Sequence, residues 1–411
     1  MSLRKEDAAR DPTIEVGTVR RVHGPDGFSL VELVVAAGVA AVLLSAVVAV
    51  LGSANAAVQM QPEAADVEQR LRAASDSLHR DLLAAGGGAA FGPLAGPMGR
   101  FAAAVLPWRV GRRLADPPGR VDSQRVTIVS IDPWGPQSVL AAPLAADSGS
   151  AVIQLGPWCP DGDPSCGFRR GMTVVIYDVH GAWSLFAVTA VAAETVVLEH
   201  QLQDWEWVFG SGTSVIAEAT VRAYQLSVDS GGAPQLVRYD GGSGADVPVA
   251  SDVTGLSFEY SGEAEPPAVL ADAGAAVSPI RTTYGPPPPE IGSQPTNYPP
   301  GENCAFRRAA DGGVASRLDA LGDGAVLVPL AASQLSDGPW CPDERSPNRY
   351  DADLLRVRLI TVAVRVEAAP AGLRGTDPAL FSRPGPGSGP RLVPDRQVIV
   401  SVAPRALNFS R

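Results

Sequence analysis

The apolar and polar positions of this chain are unevenly distributed. From Leu33 to Pro62 there is no charged residue, and Leu33–Leu51 reads LVVAAGVAAVLLSAVVAVL. Extended back to Phe28, the run reaches the roughly 20 residues needed to cross a bilayer core. A buried helix of a soluble domain carries a polar stripe, whereas only Gly38 and Ser45 interrupt this one. The pattern predicts a transmembrane helix over about 30–52. A cleaved secretory signal has a shorter apolar core, about 7–15 residues. Ala54-Asn55-Ala56 supplies small residues for such a cut, but the run before it is too long.

Beyond residue 62 the period changes. Val67, Leu71, Ala74, Leu78 and Leu82 recur at three- and four-residue steps among charged neighbours, the mark of an amphipathic helix over 63–85. Glu63, Asp66 and Glu68 precede Arg70, Arg72 and Arg80, the order the helix dipole favours. Gly86-Gly87-Gly88 ends the helix. Pro62, between the halves, is expected to kink or break it. Downstream, residues 125–131, 172–179, 183–191, 195–200, 214–228, 235–239, 354–367 and 396–403 are rich in Val, Ile, Thr and aromatics and predict strands. One long N-terminal helix followed by consecutive strands, without βαβ alternation, predicts an α+β fold: the helix packed on an antiparallel sheet head with loop insertions.

Composition refines this picture. The 411 residues include 43 Gly and 37 Pro, concentrated in two stretches: an insertion at about 261–303, containing Gly285-Pro286-Pro287-Pro288-Pro289, and residues 375–390. The first is expected to be an exposed spacer, partly polyproline II. Net charge is −11, from 33 basic and 44 acidic residues, which argues against sequence-independent nucleic-acid binding. Residues 1–27 carry five charges of each sign, so the acidity belongs to the remainder. Arg20 and Arg21 precede the apolar run, and Glu63 and Asp66 follow it. By the positive-inside rule the N-terminus stays in the cytoplasm and the bulk of the chain is exported.

Candidate chemistry is sparse. Cys159, Cys166, Cys304 and Cys341 form an even set on the exported side, consistent with two disulfides in one of three connectivities. Cys159–Cys166 and Cys304–Cys341 are favoured. The hexapeptide GPWCPD occurs twice, at Gly156–Asp161 and Gly338–Asp343, and leaves a Cys159–Cys341 cross-bridge open. Zinc is disfavoured, with no CxxC pair and no nearby His. Asp161 and Asp163 offer oxygens to Ca²⁺, but EF-hand spacing and a closing Glu are missing, and an acidic turn is preferred. His23, His79, His180 and His200 have no triad-like context. Without GxSxG, HExxH or P-loop patterns, an enzyme is not expected, nor is a cofactor.

The membrane entry carries the one specific motif. Gly27-Phe28-Ser29-Leu30-Val31-Glu32-Leu33, followed at once by a charge-free span, resembles the prepilin peptidase site of type IV pilins and type II secretion pseudopilins. The resemblance implies cleavage after Gly27, N-methylation of Phe28, and a retained Glu32 that pairs with the freed amine of a neighbouring subunit. Gly27 suits close approach by a peptidase, having no Cβ. A carboxylate inside a transmembrane segment costs roughly 2.5–3.5 kcal/mol at the bilayer centre, which independently marks Glu32 as functional.

Residues 71–82, Val253–Tyr260 and the segments from Val393 and Pro404 are similar to PilW-like minor pilins and J-type minor pseudopilins. The large body fits the former better. The implied organisation is a leader (1–27), an N-terminal helix (28–85) and an exported β-rich domain (86–411). The implied protein is a minor pilin that enters or primes a type IV pilus or a type II secretion pseudopilus. Its partners would be the prepilin peptidase, other major and minor pilins or pseudopilins, the inner-membrane assembly platform and the membrane itself. It would sit in the inner membrane by one span with a periplasmic domain, and in the fibre after assembly. A pilin-anchored surface adhesin is the alternative, favoured by the large loop-rich domain.

Overall fold

In the computed structural model, residues 29–411 are described, except 112–113, 201–206, 242–243, 271–280, 293–295, 323, 389–390 and 409–411. For 49, 51–59 and 200 only the backbone is described. The chain divides into two compact units, Met1–Val58 and Gln59–Arg411. The first holds the start of helix α1 (Leu30–Ala84), including the 19-residue stretch Leu30–Val48. That stretch is long and apolar enough to cross a membrane, and none of it is buried.

The second unit begins within α1. Of the kink or break expected at Pro62, the break is absent, since α1 is one helix through it. Proline removes a single N–H from the ladder, a loss that a long cooperative helix fastened just beyond tolerates. Val67, Ala74, Leu78 and Leu82 are fully buried. Helix α1 stops where Gly86 adopts φ +78°, a left-handed conformation suited to glycine.

The strands follow in chain order: β1 (Val105–Leu106), β2 (Val126–Ile131), β3 (Gln137–Val139), β4 (Ser150–Val152), β5 (Thr173–Asp178), β6 (Trp183–Ala192), β7 (Thr195–His200), β8 (Ser214–Val228), β9 (Pro234–Tyr239) and β10 (Val247–Ser251). All ten join one antiparallel sheet, ordered β1-β2-β8-β5-β6-β7-β4, with β3 and β9 also on β8 and β10 on β9. The chain continues through β11 (Val253–Glu263), the hairpins β12 (Val269–Leu270) with β13 (Arg281–Thr282) and β14 (Phe306–Arg308) with β15 (Val314–Ser316), and β16 (Leu327–Leu330). The pair β17 (Trp340–Cys341) and β18 (Tyr350–Asp351), then β19 (Val357–Val366) and β20 (Arg396–Val402), complete it, before the short helix α2 (Arg405–Asn408). A second antiparallel sheet runs β16-β11-β19-β20. The α+β class with antiparallel sheets is therefore observed, strand being the larger part.

Period-two alternation splits the large sheet between two cores. Val175, Tyr177, Leu185, Val215 and Ala217 join the helix stripe and the second sheet in the main core. Val174, Ile176, Phe186, Val188 and Ile216, on the opposite face, pack with Leu140, Ile153, Phe168 and Phe209 in another. Burial on both faces explains why β5 and the first residues of β6 and β8 read as nearly continuous apolar runs.

Two expectations are corrected. The strand foreseen from Leu354 begins at Val357, because Ala352–Arg356 is a 3₁₀ turn capped by Asp351, whose side chain accepts from the Asp353 N–H. Among the described residues, the 261–303 stretch is exposed only in part and is tied to the body at several points. Ser261–Glu263 extend β11 along β16 and β19. Tyr284 and Asn303 are buried, and Asn303 Nδ2 donates to the Pro286 and Pro287 carbonyls at 3.2 and 2.6 Å. The proline carbonyls are acceptors with no competing N–H, so one buried amide pins the tract to the body.

Candidate functional site

Phe28 and the whole of the expected leader (1–27), with Gly27 and His23, lie outside the described residues. The helix start beside them is described. Ser29 Oγ accepts from the Glu32 N–H at 3.1 Å, and Glu32 Oε2 accepts from the Ser29 N–H at 3.0 Å. This reciprocal pair is a capping box, which satisfies two of the N–H groups left open at a helix start. The Ser-x-x-Glu spacing of this box lies inside the cleavage-like motif of the sequence. Glu32 thus has a local partner within its own chain. Around it Leu30, Val31, Leu33, Val34 and Val35 are all exposed, so the cap opens an apolar cylinder rather than one face.

Within the second unit, α1 is fastened by polar side chains as well as by its stripe. Arg70 Nη1 reaches Asp252 Oδ2 at 2.6 Å and its Nη2 reaches Glu63 Oε1 at 2.5 Å. Glu63 Oε1 also accepts from the Ala369 N–H at 2.8 Å. Further along the helix, Tyr224 of β8 donates to Asp81 at 2.6 Å and lies 2.7 Å from Ser77 Oγ. Burial pushes the Tyr224 hydroxyl above its usual range, and Asp81 beside it acts in the same direction. Glu367, fully buried, is paired with Arg374 at 2.7 Å and with Arg383.

The cysteines close as Cys159–Cys166 and Cys304–Cys341. The two GPWCPD copies differ in conformation: Gly338-Pro339 and Cys341-Pro342 are cis, and the first copy contains no cis bond. Asp163 is occupied within its own turn. Its carboxylate accepts from Ser165 Oγ (2.5 Å), the Ser165 N–H (2.8 Å) and the Gly167 N–H (3.0 Å), and the Ser165 hydrogen bonds hold it below its ordinary pKa. These bonds shape the loop that brings Cys166 to Cys159, and Asp161 stays exposed beside it.

A different acidic group lies outside the expectations from sequence. Asp337, Asp351 and Asp353 bring carboxylate oxygens within 4.8 Å of one another. Asp351 is buried and accepts from the Gly338 N–H (2.6 Å) and the Asp353 N–H (2.9 Å); burial pushes its pKa up to about 7. Burial likewise raises Asp353 to about 6, against the pull of Arg356, whose Nε lies 2.6 Å away. Only folding brings Asp337 to the Asp351-x-Asp353 pair, and that short spacing alone does not announce the group. Asp178, also buried, accepts from Trp207 Nε1 at 2.8 Å and from the His180 and Ala182 N–H groups, closing the β5–β6 turn.

No family model, curated protein or solved structure matches this chain.

Proposed function

We propose that the chain is a PilW-like minor pilin or pseudopilin, cut after Gly27 and inserted into, or priming, a type IV pilus or type II secretion pseudopilus. What supports this reading is the junction taken whole. Helix α1 begins two residues after Phe28, is capped by Ser29 and Glu32, and continues into an apolar span with no buried side chain. A helix that is apolar all round needs a hydrophobic surround, which a bilayer and then the neighbouring helices of a fibre supply in turn. In this function the subunit catalyses nothing. It offers packing surface, the methylated Phe28 amine and the Glu32 carboxylate, and it depends on the peptidase, partner pilins and the membrane platform. The two disulfides suit an exported, periplasmic body.

Intact mass of the protein purified from its own host tests the reading. A chain starting at methylated Phe28 is expected, and Gly27→Trp is expected to retain residues 1–27. A native protein that starts at Met1, or after Ala56, overturns the proposal. The variant Glu32→Ala is expected to be processed normally yet to lose co-purification with partner pilins.

A further inference from the structure

The second sheet ends on two unlike edges. At one, β16 is four residues long and holds Pro329, which has no N–H to offer a neighbour. At the other, β20 pairs with β19 along Arg396–Val402, with no proline and no shift of register. No strand pairs with its outer edge among the described residues. Pairing parity shows which backbone groups face outward. The Phe258 N–H of β11, opposite Val362, turns away from β19 to the Ser123 carbonyl, so Val362 and its even-numbered neighbours bond to β20 instead. Their partners are Arg396, Val398, Val400 and Val402. The N–H and C=O groups of Gln397, Ile399 and Ser401 therefore face outward. Asp395, two residues before Gln397, shows the same sense by donating to the Leu380 carbonyl.

Side chains along this edge are sorted by face. Val398 and Val400 are half-buried against the main core, whereas Gln397, Ile399 and Ser401 lie on the other face, with Ile399 64% exposed. Charges and bulges, by which proteins usually guard an edge, are missing from residues 397–402. Where the edge begins, a cavity of about 230 Å³ lies between α1 and the start of β20, its lining including Met60, Ala64, Val67, Val393, Pro394 and Arg396. The Arg396 side chain is 61% exposed, and its one ion contact among the described residues is Glu68 at 3.6 Å. Past Arg396 the edge is closed, since Leu380 already accepts from Asp395.

We propose that the outer edge of β20 receives the C-terminal strand of a partner protein, antiparallel as every pair of this sheet is. Opposite Gln397, Ile399 and Ser401 the incoming backbone exchanges both hydrogen bonds with each residue. Its alternate side chains fall beside Val398 and Val400, where β-branched apolar residues complete the half-covered face. The residue opposite Arg396 shares that face, so it is apolar and enters the cavity. Because the edge closes there, the chain ends, and its carboxylate lies beside the Arg396 guanidinium. The favoured pattern is Thr-Val-Ile-Val-Thr-Leu with a free carboxylate. A second copy of this chain fits less well. Helix α1 runs in the same direction as β20, with Glu68 near Arg396 and Leu407 against Gly86. A twofold pairing of β20 would set two α1 helices antiparallel, and their apolar spans could not enter one membrane from the same side. The proposal stands on the sheet edge, so its failure leaves the pilin reading untouched.

The test uses the full oxidised chain in detergent micelles, titrated into nanomolar TVIVTL that is labelled at its N-terminus and read by anisotropy. TVIVTL is expected to bind saturably. N-methylation of its Ile, whose N–H would meet the Ile399 carbonyl, is expected to weaken binding at least tenfold. N-methylation of its second Val, whose N–H faces away from β20, is expected to weaken it less than threefold. The variant Ile399→Pro loses an N–H that β19 does not use; with circular dichroism unchanged, it is expected to bind TVIVTL at least tenfold more weakly. Equal loss from the two methylated peptides, or loss from neither, contradicts the edge parity and overturns the proposal. Undiminished binding to Ile399→Pro marks partition into micelles and overturns it, as does no binding at submillimolar protein. A mass that doubles with concentration in the native chain but not in Ile399→Pro gives the edge to a second copy and overturns it too.

Discussion

Arg70 is the residue on which the charged face of α1 turns. It holds Glu63 on its own helix and Asp252 across a separation of 182 residues, with both acids largely withdrawn from water. Removing one partner of such a group leaves a carboxylate uncompensated, so Arg70→Ala is expected to destabilise the protein by about 2–3 kcal/mol, measured as a shift of the urea midpoint. Asp351 carries a different signature. Its pKa is about 7 in the folded chain, against about 3.9 when unfolded. Between those values the native state binds the extra proton, so this carboxyl's contribution to stability falls as pH rises from 4 to 7. The stability of the native protein minus that of Asp351→Asn is expected to decline over this window, by up to about 4 kcal/mol; urea titrations at pH 4.5 and 7.5 measure it. At this scale the sequence is legible only where partners are close along the chain. The Ser29-x-x-Glu32 box and the Asp163–Ser165 turn are local patterns, whereas Arg70–Asp252 and the three clustered aspartates exist only once distant segments meet.

Elements were far easier to read than contacts. The stripe from Val67 to Leu82 foretold both the helix and its buried face, because a single face was to be covered. Leu78→Ala is expected to cost about 2–5 kcal/mol, as for other fully buried leucines, and thermal melting of the variant checks this. The long strands β2, β5, β6, β7, β8 and β9 were visible as β-branched runs to within a residue or two at either end. What stayed hidden were strands too short to show a period, such as β1 and β3, and β11, whose Thr254-Gly255 and Ser257 dilute its alternation although it lies centrally in its sheet. The Pro-rich tract misled for a physical reason: proline and glycine predict the absence of regular structure, not exposure. The two disulfides close chain segments of unequal length, 7 and 37 residues in separation. In the chain-entropy picture, loss of Cys304–Cys341 is expected to cost about 4 kcal/mol and loss of Cys159–Cys166 about 2.5 kcal/mol. Paired Cys→Ser variants compared by denaturant midpoint test that order.

For the molecule as a whole, the division falls inside α1 rather than at its end. The unit from Gln59 onward keeps the amphipathic half of the helix, with the Arg70 and Tyr224 contacts and both disulfides. A secreted chain beginning at Gln59 is therefore expected to fold, remain in solution without detergent and show both bridges on non-reducing peptide mapping. One beginning at Gly86 lacks the stripe that covers the main core and is expected to aggregate. Charge is divided along the chain in the same sense. Lys5 is the only lysine, so everything after residue 5 carries arginine alone as its strong cation.

Strand β8 is covered on one edge by β5 over Ser214–Glu218 and by β9 over Ala223–Val228, and the interval between them has a consequence on the timescale of isotope exchange. Backbone amides of a strand buried on both faces and paired on both edges give up their hydrogens to heavy water only when the protein opens. Thr220 and Arg222, bonded to β2, belong to that slow class. Ala219 and Val221, alternating with them, have no strand opposite their N–H groups among the described residues, and should exchange early: two fast sites set between slow ones in the middle of the 15-residue β8.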